Sequence, residues 1–171
     1  MKESDFFIKL NTMSNITENI LKIVKSSDNS MWKELFGLTI FTLDIDHFKN
    51  DKEIFQAIQH LDCKTRLSIF RTNPNTCYDW HFDKIRHSAI NMLIDGFDSF
   101  CAFGEYSLGN TYKNIYKLQY EPNYYYLINV KKTHCVFNFS NNMRYILSIG
   151  IPNTTYEDSV NYFVEKKLIT L

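Results

Sequence analysis

Residues 124–151 read YYYLINVKKTHCVFNFSNNMRYILSIGI. Three extended runs stand here, Tyr124 to Val130, His134 to Phe139 and Arg144 to Ile151, rich in β-branched and aromatic residues. The last two are separated by the turn-forming cluster Ser140-Asn141-Asn142. Runs this short and bounded this way read as strands. The same texture extends back to Thr65, in Arg66 to Arg71, Cys77 to Phe82, His87 to Ile94, Ser99 to Phe103 and Ile115 to Tyr120. Asn73-Pro74-Asn75, Asp95-Gly96, Gly109-Asn110 and Glu121-Pro122-Asn123 punctuate them. Eight short strands at this spacing predict a mainly β fold, a sandwich or jelly roll, and not alternating βαβ units.

The period changes on both sides of this block. Ile16, Ile20, Ile23 and Val24 recur at helical spacing behind the capping candidates Ser14 and Asn15, which predicts a helix from Ile16 to Lys25. Ile54, Phe55, Ile58 and Leu61 predict a second helix after Asn50 and Asp51. Leu38 to Leu43 is a short apolar run of strand type, and Glu157 to Lys167 reads as a final helix. The expectation is one domain over residues 1–171: helical support over 1–64, a β core over 65–151 and a C-terminal helix within 152–171.

Nineteen basic residues balance nineteen acidic ones. A net charge of zero weighs against nucleic acid or an acidic membrane as partner, since both select a basic excess. Fourteen Phe, eleven Tyr and two Trp suit sheet packing, and three Pro and five Gly argue against disorder. Lys, Asn, Ile, Tyr and Phe dominate while Gly, Ala, Arg and Pro are scarce, which suggests an A/T-rich genome such as that of a phage or an intracellular microbe. No apolar stretch reaches the roughly 18 residues of a membrane span, and Met1 to Leu10 lacks a signal-peptide core, so the expected location is the cytoplasm. Cys63, Cys77, Cys101 and Cys135 show no CxxC spacing and read as reduced, buried thiols. A zinc site built from Cys77, His81, His134 and Cys135 is the rival reading, although neighbours 134 and 135 point to opposite faces of a strand.

The chemistry concentrates in Tyr78-Asp79-Trp80-His81-Phe82-Asp83. On a strand His81 and Asp83 share a face, and His134 on an opposing strand completes a 2-His-1-carboxylate set, which favours Fe(II) with open positions. His-x-acid alone is a weak signal, since roughly 0.5 matches are expected by chance, and His60-Leu61-Asp62 is such a decoy at a helix end. Taken singly, His81 and Asp83 read as a surface ion pair, and Arg144 as a charge guarding a strand edge. Arg144 follows His134 by ten residues. If the two strands form a hairpin, it pairs near Phe139, about 16 Å along the strand from His134, within reach of a chelated dicarboxylate.

His81-Phe82-Asp83, His134 and Arg144 at plus ten resemble the signature of the 2-oxoglutarate and Fe(II)-dependent oxygenases. Ser68 to Arg71 and Leu127 to Asn138 resemble that family's neighbouring core strands, and His81 to Ile94 looks most like the aspartyl/asparaginyl and small proline-hydroxylase branches. The resemblance spans about residues 65–151. It implies a double-stranded β-helix, a cupin-like jelly roll, with Fe(II), 2-oxoglutarate and O2 as cofactor and co-substrates. It implies His81, Asp83 and His134 as metal ligands, with no catalytic residue beyond them, and Arg144 on the C5 carboxylate. Asn91 and Ser148 are further candidates for the co-substrate pocket, and Arg86 is either a contact for an anionic substrate group or a solvated loop charge. The implied reaction is hydroxylation of a C–H bond in a small molecule such as an amino acid, or in a peptidyl side chain, with release of succinate and CO2. Residues 1–60 and the Asp95 to Asn114 connection are candidates for a pocket lid. The alternative is a non-catalytic jelly-roll module for metal binding or interaction.

Overall fold

The computed structural model describes residues 2–35, 38–107 and 111–170. Eleven strands form two sheets: β1 (Phe7–Met13), β2 (Lys33–Leu35), β3 (Leu38–Thr42), β4 (Leu67–Thr72), β5 (Thr76–His81), β6 (Ser88–Asp95), β7 (Phe100–Ser107), β8 (Thr111–Leu118), β9 (Tyr124–Ile128), β10 (His134–Asn138) and β11 (Arg144–Ile151). The helices are α1 (Thr17–Ser26), α2 (Lys52–His60) and α3 (Tyr156–Glu165). The large sheet runs β1-β9-β6-β11-β4-β3-β2 and the small one β5-β10-β7-β8, with every pairing antiparallel. The eight strands expected from Thr65 onward are all present, and their order of exchange between sheets is that of a jelly roll. The turn expected at Gly109-Asn110 lies outside the described residues.

The expectation of a helical first 64 residues is corrected. Only α1 and α2 are helices of more than one turn there, and β1, β2 and β3 extend the large sheet at its two ends. The pairing of β1 with β9 shifts register between Lys9 and Met13, so the strand does not keep the strict alternation that reveals strands in sequence.

Period-two alternation sorts the large sheet's side chains onto two faces. Ile69, Ile90, Met92, Leu127, Leu147 and Ile149 point outward, onto Ile20 and Val24 of α1, Ile54 and Ile58 of α2, and Phe163 of α3. Each such residue contributes roughly 1.5–3 kcal/mol by leaving water. Ala89, Leu93, Ile128 and Ile146 point inward and meet Phe103 and Leu118 of the small sheet. One expected cap serves a different purpose. The Asp51 carboxylate does not cap α2; it accepts from Ser14 Oγ, the Asn15 N–H and the Tyr125 hydroxyl, tying the start of α1 to the sheet.

No helix among the described residues is long and apolar enough to cross a membrane.

Candidate metal centre

Strands β5 and β10 pair with His81 directly opposite His134, and their rings lie 4.3 Å apart between centroids. The strand ends at His81, but the chain stays alongside its neighbour, because the Asp83 N–H donates to the Val130 carbonyl at 2.8 Å. His81, Asp83 and His134 therefore offer two nitrogens and an oxygen that all lie within 4.8 Å of one another. No other group of three such residues gathers among the described residues.

Both imidazoles are held in the tautomer a metal requires. His81 Nδ1 lies 2.7 Å from the Asp79 carbonyl and His134 Nδ1 lies 2.9 Å from the Lys132 carbonyl. A carbonyl only accepts, so each Nδ1 carries a proton, and the lone pair of a neutral ring then lies on Nε2. Burial, and then the neighbouring His81, push the His134 pKa down to about 4, against the opposing pull of the Lys132 carbonyl and Asp83. His134 is thus a neutral donor across the physiological range. Two imidazoles and one carboxylate on one side of an ion are the donor set of the facial triad that suits Fe(II), and these residues fit it.

The low His134 pKa has a consequence for the metal-free protein. Unfolded, the ring takes up its proton near pH 6.5; folded, only near 4. The unfolded state binds more protons between those values, so this contribution to stability is complete above pH 6.5 and lost as pH falls toward 4. Urea midpoints of the metal-free wild type and His134→Gln measured from pH 7 to 4 are expected to diverge, the wild type losing roughly 2–3 kcal/mol more. His81, Asp83 and Arg86 face the ring in both proteins, and because His81 acts on His134 directly the divergence reads the two rings together.

His81 and His134 line a cavity between the sheets of about 70 Å³. Its far wall carries Arg144, which is 2% exposed. The guanidinium donates from Nε to Ser99 Oγ at 3.0 Å and from Nη2 toward Cys101 Sγ at 3.8 Å, and lies over the Tyr120 ring. All three neighbours are neutral, and burial pushes the Cys101 thiol and the Tyr120 phenol up, away from ionisation. Among the described residues no carboxylate pairs with Arg144. A buried guanidinium without an acid carries a positive charge that a bound anion would offset.

The expected hairpin from His134 to Arg144 is corrected: β10 lies in the small sheet and β11 in the large one, and Arg144 pairs with Thr72, not near Phe139. The Asn138 amide holds this crossing by donating to the Thr72, Asn73 and Asn142 carbonyls. Gly96, at φ +87°, lets the turn after β6 press on the Arg144 backbone, where a Cβ would sit 2.8 Å from Arg144 Cα.

Ser148, Ile146 and Arg144 share the inner face of β11, as parity predicts, and Asn91 lies on β6 beside them with its Oδ1 buried and unpaired. Ser148 Oγ is engaged, accepting from Arg86 Nη1 at 2.9 Å. Arg86 is not a solvated loop charge: it lines the cavity, donates to Asp83 from Nε and pairs with the same carboxylate through Nη2. The cysteine-containing zinc site is not assembled, since Cys77 is exposed, Cys135 is fully buried and neither joins the triad. Among the described residues of 1–60 Leu38 lines the cavity, and the described part of Asp95 to Asn114 is mostly β7 and β8, from which Cys101 and Phe103 line it. Ser99, Cys101 and Tyr120 went unnoticed in the sequence; alternation with Phe103 along β7 is the signal that places Cys101 inward.

No family model matches the sequence, and no curated protein matches it significantly. Among solved structures the chain is similar to a prolyl-4-hydroxylase from Pseudomonas putida, at 9% identity and a TM-score of 0.58 over 83% of this chain and 89% of that one. It is also similar to an oxidoreductase of the 2OG-Fe(II) oxygenase family from Burkholderia pseudomallei, at 10% identity and a TM-score of 0.53 over 81% of each chain. The cupin domain of Drosophila melanogaster CENP-C aligns at 11% identity and a TM-score of 0.46, over 80% of this chain and 98% of that one. At these identities the likeness is one of fold, the cupin-like jelly roll.

Proposed function

We propose that this chain is an Fe(II)- and 2-oxoglutarate-dependent dioxygenase that hydroxylates a C–H bond of a small molecule, such as an amino acid, or of a peptidyl side chain, releasing succinate and CO2. One observation carries the reading: a single cavity is lined by His81 and His134 of the donor group and by a buried Arg144 with which no carboxylate pairs among the described residues. A short dicarboxylate satisfies both ends at once, chelating a metal and giving Arg144 the carboxylate its planar fork is shaped for. Bound Fe(II) would supply the oxidising chemistry with O2 and 2-oxoglutarate.

The chain's own residues do the rest. The two Nδ1 protons, held by the Asp79 and Lys132 carbonyls, leave Nε2 of each ring as the nitrogen for a metal. Phe103, Ile128, Val130 and Val136 line the space between with apolar surface, which excludes water and strengthens the charge pairing at Arg144. Asn91 offers a polar group on the same wall.

The test is succinate formation with Fe(II), 2-oxoglutarate and a panel of free amino acids and peptides. Succinate is expected from the wild type, slowly even without substrate. No turnover from metal-loaded protein, coupled or uncoupled, would favour the non-catalytic metal-binding module.

A further inference from the structure

Arg86 lies inside the cavity and touches both of its walls. Its Nε donates to Asp83 Oδ2 at 2.7 Å, and its Nη2 is ion-paired to the same oxygen at 2.5 Å. Its Nη1 donates to Ser148 Oγ on the opposite sheet. The pair is sheltered, with side chains 22% and 17% exposed. A guanidinium meeting a carboxylate usually forks across both oxygens. Here it takes one oxygen and leaves Asp83 Oδ1 without a hydrogen bond from any described residue.

Building on the metal reading above, we infer that Arg86 is a positioning residue that keeps Asp83 a one-oxygen ligand. The guanidinium covers Oδ2 with a hydrogen bond from Nε and an ion-paired Nη2, and its positive charge repels a cation from that atom. Oδ1 alone remains for the ion. The carboxylate cannot swing to grip with both oxygens, because Ser148 anchors the far end of the guanidinium to β11. With two imidazole nitrogens and one oxygen bound, an octahedral ion keeps three positions for exchangeable ligands; a two-oxygen grip would leave two.

The backbone of β11 accommodates this arrangement. Gly150 lies under the Arg86 side chain, where a Cβ would sit 2.6 Å from Arg86 Cδ and 3.3 Å from Cγ. Those atoms are the middle of a side chain held at its tip by two residues, so they cannot step aside while both contacts persist. Gly150→Ala therefore displaces Arg86 from the other side without touching Asp83.

Mn(II) alone is the probe. Broadening of its electron paramagnetic resonance lines in 17O-enriched water counts the waters bound to the ion. Three are expected in the wild type, two in Arg86→Met and in Gly150→Ala, and three again in Arg86→Lys, which keeps a cationic donor. A merely structural ion pair leaves the count at three in every folded variant, and that result overturns the inference while the metal reading stands. Two waters in the wild type overturn it also. If the wild type does not bind Mn(II), the metal reading fails and the inference falls with it.

Discussion

Arg144→Met is expected to abolish 2-oxoglutarate binding while leaving the free protein as stable as before, or more stable. The two effects have one cause. In the free protein the guanidinium is buried among a hydroxyl, a thiol and an aromatic face, with no acid to offset its lost hydration. Methionine fills similar space without that cost, and replacing poorly compensated buried charge by apolar side chains is often neutral or stabilising by 1–4 kcal/mol. The bound state reverses the balance. Removing one partner of a buried, hydrogen-bonded charge pair costs about 2–5 kcal/mol, which at its middle is a loss of more than 100-fold in affinity. Calorimetric titration of 2-oxoglutarate into Mn(II)-loaded protein reads the loss. Thermal unfolding reads the rest: a hundredfold excess over Kd stabilises the wild type by about 2.7 kcal/mol, or roughly 5–10 °C, and this shift should vanish in the variant. Affinity within tenfold of wild type would remove Arg144 from the co-substrate site.

Arg144 also shows where the sequence was legible and where it was not. Its strand was clear, because Arg144 to Ile151 alternates inward Arg144, Ile146 and Ser148 with outward Leu147 and Ile149. Its sheet was not. Five residues stand between the last residue of β10 and the first of β11, a separation that suits a hairpin, and nothing local says that the chain instead crosses the sandwich. That is settled by the Asn138 amide reaching three carbonyls from two segments, a contact between parts of the chain over sixty residues apart. The path from metal to Arg144 therefore spans the gap between sheets and not five residues of one strand.

The triad was legible for the opposite reason. His81 and Asp83 are two apart, so an extended backbone suffices to place them together, and only the partner strand of His134 had to be guessed. Arg86 was visible, but its contacts were not. Three residues beyond Asp83, it resembled any loop cation, and its second contact, to Ser148, lies 62 residues away. The N-terminal strand was missed because its pairing slips after Lys9, which removes the alternation that exposed the other strands.

His81→Ala is expected to strip the metal without disturbing the fold. His81 is half-buried at the end of β5, and its hydrogen bond is to the carbonyl two residues before it, so its loss opens no deep cavity. His134 is a poorer test, since it is buried and stacked on Phe103, and its removal combines a packing defect with a lost ligand. With one of three donors gone, metal affinity should fall by at least 100-fold, beyond the 10–100-fold that a supporting residue costs. Iron content after anaerobic purification, with thermal unfolding of the metal-free proteins as the control for folding, separates ligand loss from unfolding. Succinate formation should fall with the iron. Cys77→Ser serves as the counter-test: Cys77 is exposed and outside the triad, so the substitution should leave metal content unchanged. A tightly held zinc that survives Asp83→Ala but not Cys77→Ser would sink the facial triad, because Asp83 would then have no role in holding the ion and the oxygenase reading would lose its metal.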